Sequence, residues 1–132
     1  MEARKAGLKV VYCVGESEEQ RVGNETEKVI EAQLRSVEGV LDEECVIAYE
    51  PVWAIGTGKV ATPEQAQQVH SQIRKWLEAH SLGNVSVIYG GSVTDSNSAE
   101  LAKQADIDGF LVGGASLKLD SFRMIVQSMA AK

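Results

Sequence analysis

Four short, nearly continuous apolar runs separated by longer segments of helical period constrain this chain more than any other feature. The runs are LKVVYCV (residues 8–14), CVIAY (45–49), VSVIY (85–89) and GFLV (109–112). Runs without polar alternation are expected of strands covered on both faces. After the first run, NETEKVIEAQLRSVEGV opens with Asn24-x-x-Glu27, a capping pattern, and sets Ile30, Leu34 and Val37 on one face. The next helix is expected from Thr62, with Pro63 in its first turn and Gln65 closing a Thr-x-x-Gln box. Its buried stripe is Ala66, Val69, Ile73 and Leu77, and Gly83 is the expected stop. NSAELAKQA predicts a shorter helix, and the segment after Ser121 carries Phe122, Ile125, Val126 and Met129 at helical spacing. Four βα units in succession predict an α/β fold with a parallel sheet and right-handed crossovers.

Composition narrows the function classes. At 132 residues and 44% hydrophobic, the chain has material for one core, so residues 1–132 are expected to form a single domain. No apolar stretch reaches the roughly 18 residues of a membrane span. The start MEARKAGLKV is charged rather than signal-like. A soluble, cytoplasmic protein without membrane partners is expected. The net charge of −6 is spread over helix-like segments and argues against nucleic acid as a partner. Cys13 and Cys45 lie in apolar runs without CxxC spacing or a neighbouring His, which predicts buried free thiols rather than a metal site or a disulfide.

The strand ends are where the unusual residues collect. Gly15-Glu16, Glu50-Pro51, Gly90-Gly91-Ser92 and Gly113-Gly114-Ala115-Ser116 each follow one of the four runs. In parallel α/β proteins the carboxyl ends of the strands form the functional face. One Gly-rich turn is explained by a tight connection. Two Gly-Gly turns beside a strand-end acid point to a site.

AYEPVWAIGTGK (48–59), IYGGSV (88–93), DGFLVGGASL (108–117) and CVGE (13–16) resemble, in order, motifs of the triosephosphate isomerase family. The match is collinear over essentially the whole chain, and it covers the C-terminal half of that family's fold. The family has a (β/α)8 barrel of about 250 residues. The resemblance therefore implies half of a TIM barrel, four parallel βα units corresponding to units five to eight, with the N-terminal half absent.

The resemblance implies an isomerase of glycolysis and gluconeogenesis that interconverts dihydroxyacetone phosphate and glyceraldehyde 3-phosphate through an enediolate. This enzyme is a standard example of a glutamate base facing a neutral histidine electrophile. Glu50 takes the position of the base. The family's lysine and histidine have no counterpart, since His70 and His80 fall in or at the end of the helix from Pro63, as surface or packing residues. No metal or cofactor is implied. A carboxylate is a poor base at its ordinary value of about 4.3, and excluding water raises it. The family does so with an apolar clamp, here Ile55 from a loop and Leu111 beside the last glycine pair; Leu111 also reads as a core residue of its strand.

Pro51, Val52, Trp53, Ala54, Ile55, Thr57, Gly58 and Lys59 then belong to a hinged lid, with Pro51 restricting one hinge and Lys59-Val60-Ala61 forming the other. Trp53 reads equally as a packing anchor. Backbone N–H groups of Gly56, Ser92, Gly113 and Gly114 are implied to hold the substrate phosphate, with glycine allowing close approach. Tyr89 and Ser92 are implied to bond the closed lid near Gly58 and Ala61. Glu16 and Arg21 read as structural groups, Lys118 as surface charge, and Asn24 as tolerant of a left-handed backbone. The full-length family implies a homodimer; for this chain the expected partners are a complementing half or a second copy. A noncatalytic phosphate-binding half-barrel is the competing reading, favoured by the missing lysine and histidine.

Overall fold

The computed structural model describes residues 2–132. After a short helix α1 (Glu2–Lys5) come β1 (Val11–Val14), α2 (Glu18–Val22), α3 (Thr26–Arg35), β2 (Val46–Tyr49), α4 (Pro63–Ala79), β3 (Ser86–Tyr89), α5 (Ser98–Ala102), β4 (Gly109–Phe110) and α6 (Leu119–Ala130). The four strands form one parallel sheet in the order β1-β2-β3-β4, with Cys13 opposite Ala48 and Tyr49 opposite Tyr89. All four expected strands are present, trimmed at their ends.

Period-2 alternation divides the sheet into two unlike faces. Val14, Ile47, Tyr49, Val87 and Tyr89 point to the helices. There they form one core with Ile30 and Leu34 of α3, Ala66, Val69, Ile73 and Leu77 of α4, Leu101 of α5 and Ile125 of α6. Among the described residues no layer covers the opposite face: Val11 is 47% exposed, and Cys13 and Ser86 are exposed. The expectation of strands covered on both faces is therefore corrected. For the same reason Cys13 is not a buried thiol, whereas Cys45 is. In α6 only Ile125 is buried, while Phe122 and Val126 of the expected stripe stay exposed.

Local signals fared unevenly. The Thr62–Gln65 box forms in both directions with Pro63 in the first turn, satisfying N–H groups the helix cannot bond internally, a contribution of about 1 kcal/mol. The Asn24-x-x-Glu27 box does not form. Asn24 instead takes the left-handed backbone (φ +57°), α3 starts at Thr26, and its N-cap Glu25 makes no side-chain cap. The reciprocal box in this region is Ser17 with Gln20, at the start of α2. α4 ends at Ala79, and the left-handed residue after it is Ser81 (φ +61°) rather than Gly83. Among the described residues no helix is long and apolar enough to cross a membrane.

Candidate active site

Glu50 directly follows β2, and alternation from Ala48 places it on the open face. Its N–H still joins the ladder, donating to Val14 O at 2.8 Å, and the N–H of Gly90 donates to Tyr49 O at 2.8 Å. The residue is thus fixed from both neighbouring strands while its side chain is half-buried. Pro51, buried with φ −63°, redirects the chain at once. Cys13 of β1 stands beside the carboxylate: burial first, then the charge and hydrogen bonding of Glu50, push the thiol above its ordinary range.

Behind the sheet a second carboxylate anchors the loop that follows Glu50. Glu16 is 0% exposed. Arg21 Nη1 donates to it at 2.6 Å, the Tyr49 hydroxyl lies 3.0 Å from both of its oxygens, and Trp53 Nε1 donates at 3.2 Å. The Arg21 guanidinium also sits 5.0 Å over the Trp53 ring. Burying a carboxylate is tolerable only with a counter-charge and hydrogen-bond donors such as these. Trp53 fits the packing-anchor reading, since it packs on Arg21, and it stands in the helical turn Val52–Ala54 at the loop's first end.

Beyond that anchor the loop is exposed from Ile55 to Val60. Gly56 and Gly58 have φ of +67° and +75°, so the backbone itself requires glycine there. Thr57 Oγ1 donates to Trp53 O at 2.6 Å and accepts from Lys59 N at 3.2 Å, while Lys59 pairs with Glu18. Ile55 is 49% and Leu111 37% exposed, which corrects the reading of Leu111 as a core residue: it faces the uncovered side. Ser92 Oγ donates to Ala54 O at 3.1 Å. The Tyr89 hydroxyl is buried without a partner among the described residues, and burial pushes its pKa up to about 12. Neither residue holds the loop at Gly58 or Ala61 in this conformation. Gly113 and Gly114 follow β4 at the same end of the sheet; a β-carbon on either would meet no protein atom within 4 Å.

Several residues of this arrangement were missed from sequence. Gln33 grips Gly15, accepting from its N–H at 2.9 Å and donating to its carbonyl at 3.0 Å. His70 is buried between Tyr49 and Tyr89; its Nδ1 lies 3.0 Å from Asp106 O, so it carries the proton. Burial holds its pKa down at about 4. His70 bears out the packing reading and lies on the helical stripe of Ala66, Ile73 and Leu77, while the partners of Gln33 and the place of Cys13 beside Glu50 depend on tertiary register that no local pattern gives.

The structure thus brings together a strand-end carboxylate on an open sheet face, an anchored loop after it and two glycine turns at the ends of β3 and β4. A sequence model described as triosephosphate isomerase matches residues 1–129. The chain belongs to the triosephosphate isomerase family. It is 53% identical to the triosephosphate isomerase of Entamoeba histolytica, over 96% of this chain and 52% of that protein. It is 57% identical to that of Emericella nidulans, over 88% of this chain and 50% of the relative. With the cytosolic triosephosphate isomerase of Oryza sativa the identity is 52%, over 98% of this chain and 53% of the relative. The chain thus spans about half the length of the curated relatives it matches. Its four parallel βα units are correspondingly half of a (β/α)8 barrel.

Proposed function

We propose that this chain carries the base-bearing half of a triose-phosphate isomerase site. The observation supporting the reading most strongly is the placement of Glu50: locked at its backbone into β1 and β3, on the open side of the sheet, immediately before a loop anchored through Trp53. In this reading its carboxylate removes a proton from one carbon of dihydroxyacetone phosphate or glyceraldehyde 3-phosphate and returns it to the neighbouring carbon through an enediolate. The N–H groups of Gly56, Ser92, Gly113 and Gly114 hold the phosphate, and an acidic chain needs no basic side chain for this. Pro51 to Lys59 act as the lid. Ile55 and Leu111 cover the carboxylate, and the Tyr89 hydroxyl gains its bond when the lid closes.

The electrophile for the enediolate oxygens comes from elsewhere. His70 is buried on the helix side of the sheet and His80 caps the end of α4, so neither serves the open face. The partner that fits is a complementing set of βα units bearing the lysine and histidine, seated on the uncovered sheet face and on the unpaired edges of β1 and β4. Unpaired edges and an exposed apolar face favour such association. The reading includes a cytoplasmic setting, in line with the cytosolic name of the rice relative; a strawberry (Fragaria ananassa) relative, 51% identical, is named chloroplastic.

The test is reconstitution. The chain alone is expected to turn over glyceraldehyde 3-phosphate negligibly, because charge develops on the enediolate without a donor to receive it. Mixed with a complementing half, it is expected to gain turnover. Turnover by the chain alone, or none from a docked pair, would contradict the reading.

A further inference from the structure

Glycine at position 90 is not demanded by the backbone. Its φ lies outside the left-handed region, and its N–H continues the ladder to Tyr49 O at 2.8 Å. What excludes a side chain is Glu50: a β-carbon at 90 would lie 2.7 Å from Glu50 Cγ, 3.1 Å from Oε1 and 3.4 Å from Cδ. Gly15 shows the same pattern on the other flank. Its φ is also unexceptional, and its β-carbon would lie 1.7 Å from the carbonyl oxygen of Glu50 and 2.7 Å from the carbonyl carbon. The next glycine in the chain behaves differently, because a β-carbon at Gly91 would strike the Tyr89 hydroxyl at 2.1 Å.

We propose that Gly15 and Gly90 are positioning residues for Glu50: Gly15 admits its main chain between the strand ends, and Gly90 leaves the slot that its side-chain methylene fills. The glycines of the β3 turn thereby divide their work, Gly90 making room for the carboxylate arm and Gly91 for the Tyr89 ring. The consequence for catalysis rests on the reading of Glu50 as the base, since a carboxylate displaced by about 1 Å loses roughly a hundredfold in rate. The packing itself does not depend on that reading. Cys13 offers a reporter, because among the described residues Glu50 is the charged group that acts on its thiol.

The experiment is a double-mutant cycle on the chain itself, using Gly90→Ala, Gly15→Ala and Glu50→Ala, read by denaturant unfolding. Alkylation of Cys13 against pH, followed by peptide mass so that buried Cys45 is counted separately, gives a second readout. With Glu50 present, Gly90→Ala is expected to lower the unfolding midpoint or shift the Cys13 profile to lower pH as the carboxylate is pushed aside. In the Glu50→Ala background, where Cγ is gone, it is expected to do neither. Gly15→Ala, whose clash is with main chain, keeps its penalty in both backgrounds. If Gly90→Ala alone does not fold, recovery of folding with Glu50→Ala supports the same assignment. Equal Gly90→Ala penalties in both backgrounds, failure of both to fold, no change in either readout, or relief of Gly15→Ala by Glu50→Ala would each overturn it. A cycle that succeeds while Glu50→Gln retains full turnover in the reconstituted pair would remove the isomerase reading and leave this one standing.

Discussion

Glu16 and Glu50 stand two residues and one residue beyond neighbouring parallel strands, and they occupy opposite surroundings. Glu16 turns to the helix side, is sealed from solvent, and has Arg21, Tyr49 and Trp53 on its two oxygens. Glu50 turns to the uncovered side and is half-buried, with a thiol on one flank and a glycine gap on the other. A buried carboxylate paired with a guanidinium and hydrogen-bonded from neighbouring elements is an anchor. One held at its backbone, with a thiol beside it and no buried ion pair, is placed to exchange a proton. The sidedness of the sheet, set by one residue of register, separates the two roles.

Breaking the anchor should have the largest effect. Glu16→Gln keeps the shape but leaves Arg21, only 22% exposed, without its counter-charge. A broken buried pair costs about 3–5 kcal/mol. Urea unfolding of the variant should show a loss in this range. A loss under about 0.5 kcal/mol, the scale of an ordinary surface change, would show that the two carboxylates do not differ as described.

The helix side should also be the acid-sensitive side. His70 is neutral in the fold with a pKa of about 4, while in the unfolded chain it titrates near the ordinary value of about 6.5. Between those values the unfolded state binds more protons, so stability is intact above about 6.5, falls as pH drops toward about 4, and then levels. The His70 share is roughly 3 kcal/mol. Unfolding midpoints between pH 7 and 4 should fall more steeply for the parent chain than for His70→Gln. Parallel curves would contradict the assignment.

Tyr49→Phe sharpens the comparison by removing one donor from Glu16 while retaining the ring in the core. Hydrogen bonds to charged groups contribute about 1.5–3 kcal/mol, and Arg21, Trp53 and Thr26 remain, so a loss of about 2 kcal/mol is expected in the same unfolding assay. No change would show that the hydroxyl is dispensable to the anchor.

How much of this was readable follows from how far each signal reaches. The Thr62–Gln65 box was legible because its reciprocal bonds span only three residues. The apolar runs were legible as strands from their short length and β-branched and aromatic content, and their lack of alternation gave no sign of an exposed face. Asn24 misled because its motif fits a cap while its backbone is left-handed. The full role of Glu16 was out of reach, since Tyr49 and Trp53 come from 33 and 37 residues away. The positive φ that calls for glycine at Gly56 and Gly58, and the closeness of Glu50 to Gly90, are tertiary facts that the sequence does not display. The uncovered face was implied by the resemblance to half a barrel, yet no apolar run announced which of its residues would be left exposed.

The most direct test sets the same substitution on both carboxylates in the chain reconstituted with a complementing half. Glu50→Gln should remove most turnover of glyceraldehyde 3-phosphate, on the order of the 10²–10⁴-fold that general base catalysis supplies, while leaving the unfolding midpoint of the chain in place. Glu16→Gln should do the reverse in stability, lowering the midpoint by several times the change at Glu50. Full turnover in the Glu50→Gln pair, or equal loss of stability from the two variants, would contradict the division between a reacting and an anchoring carboxylate.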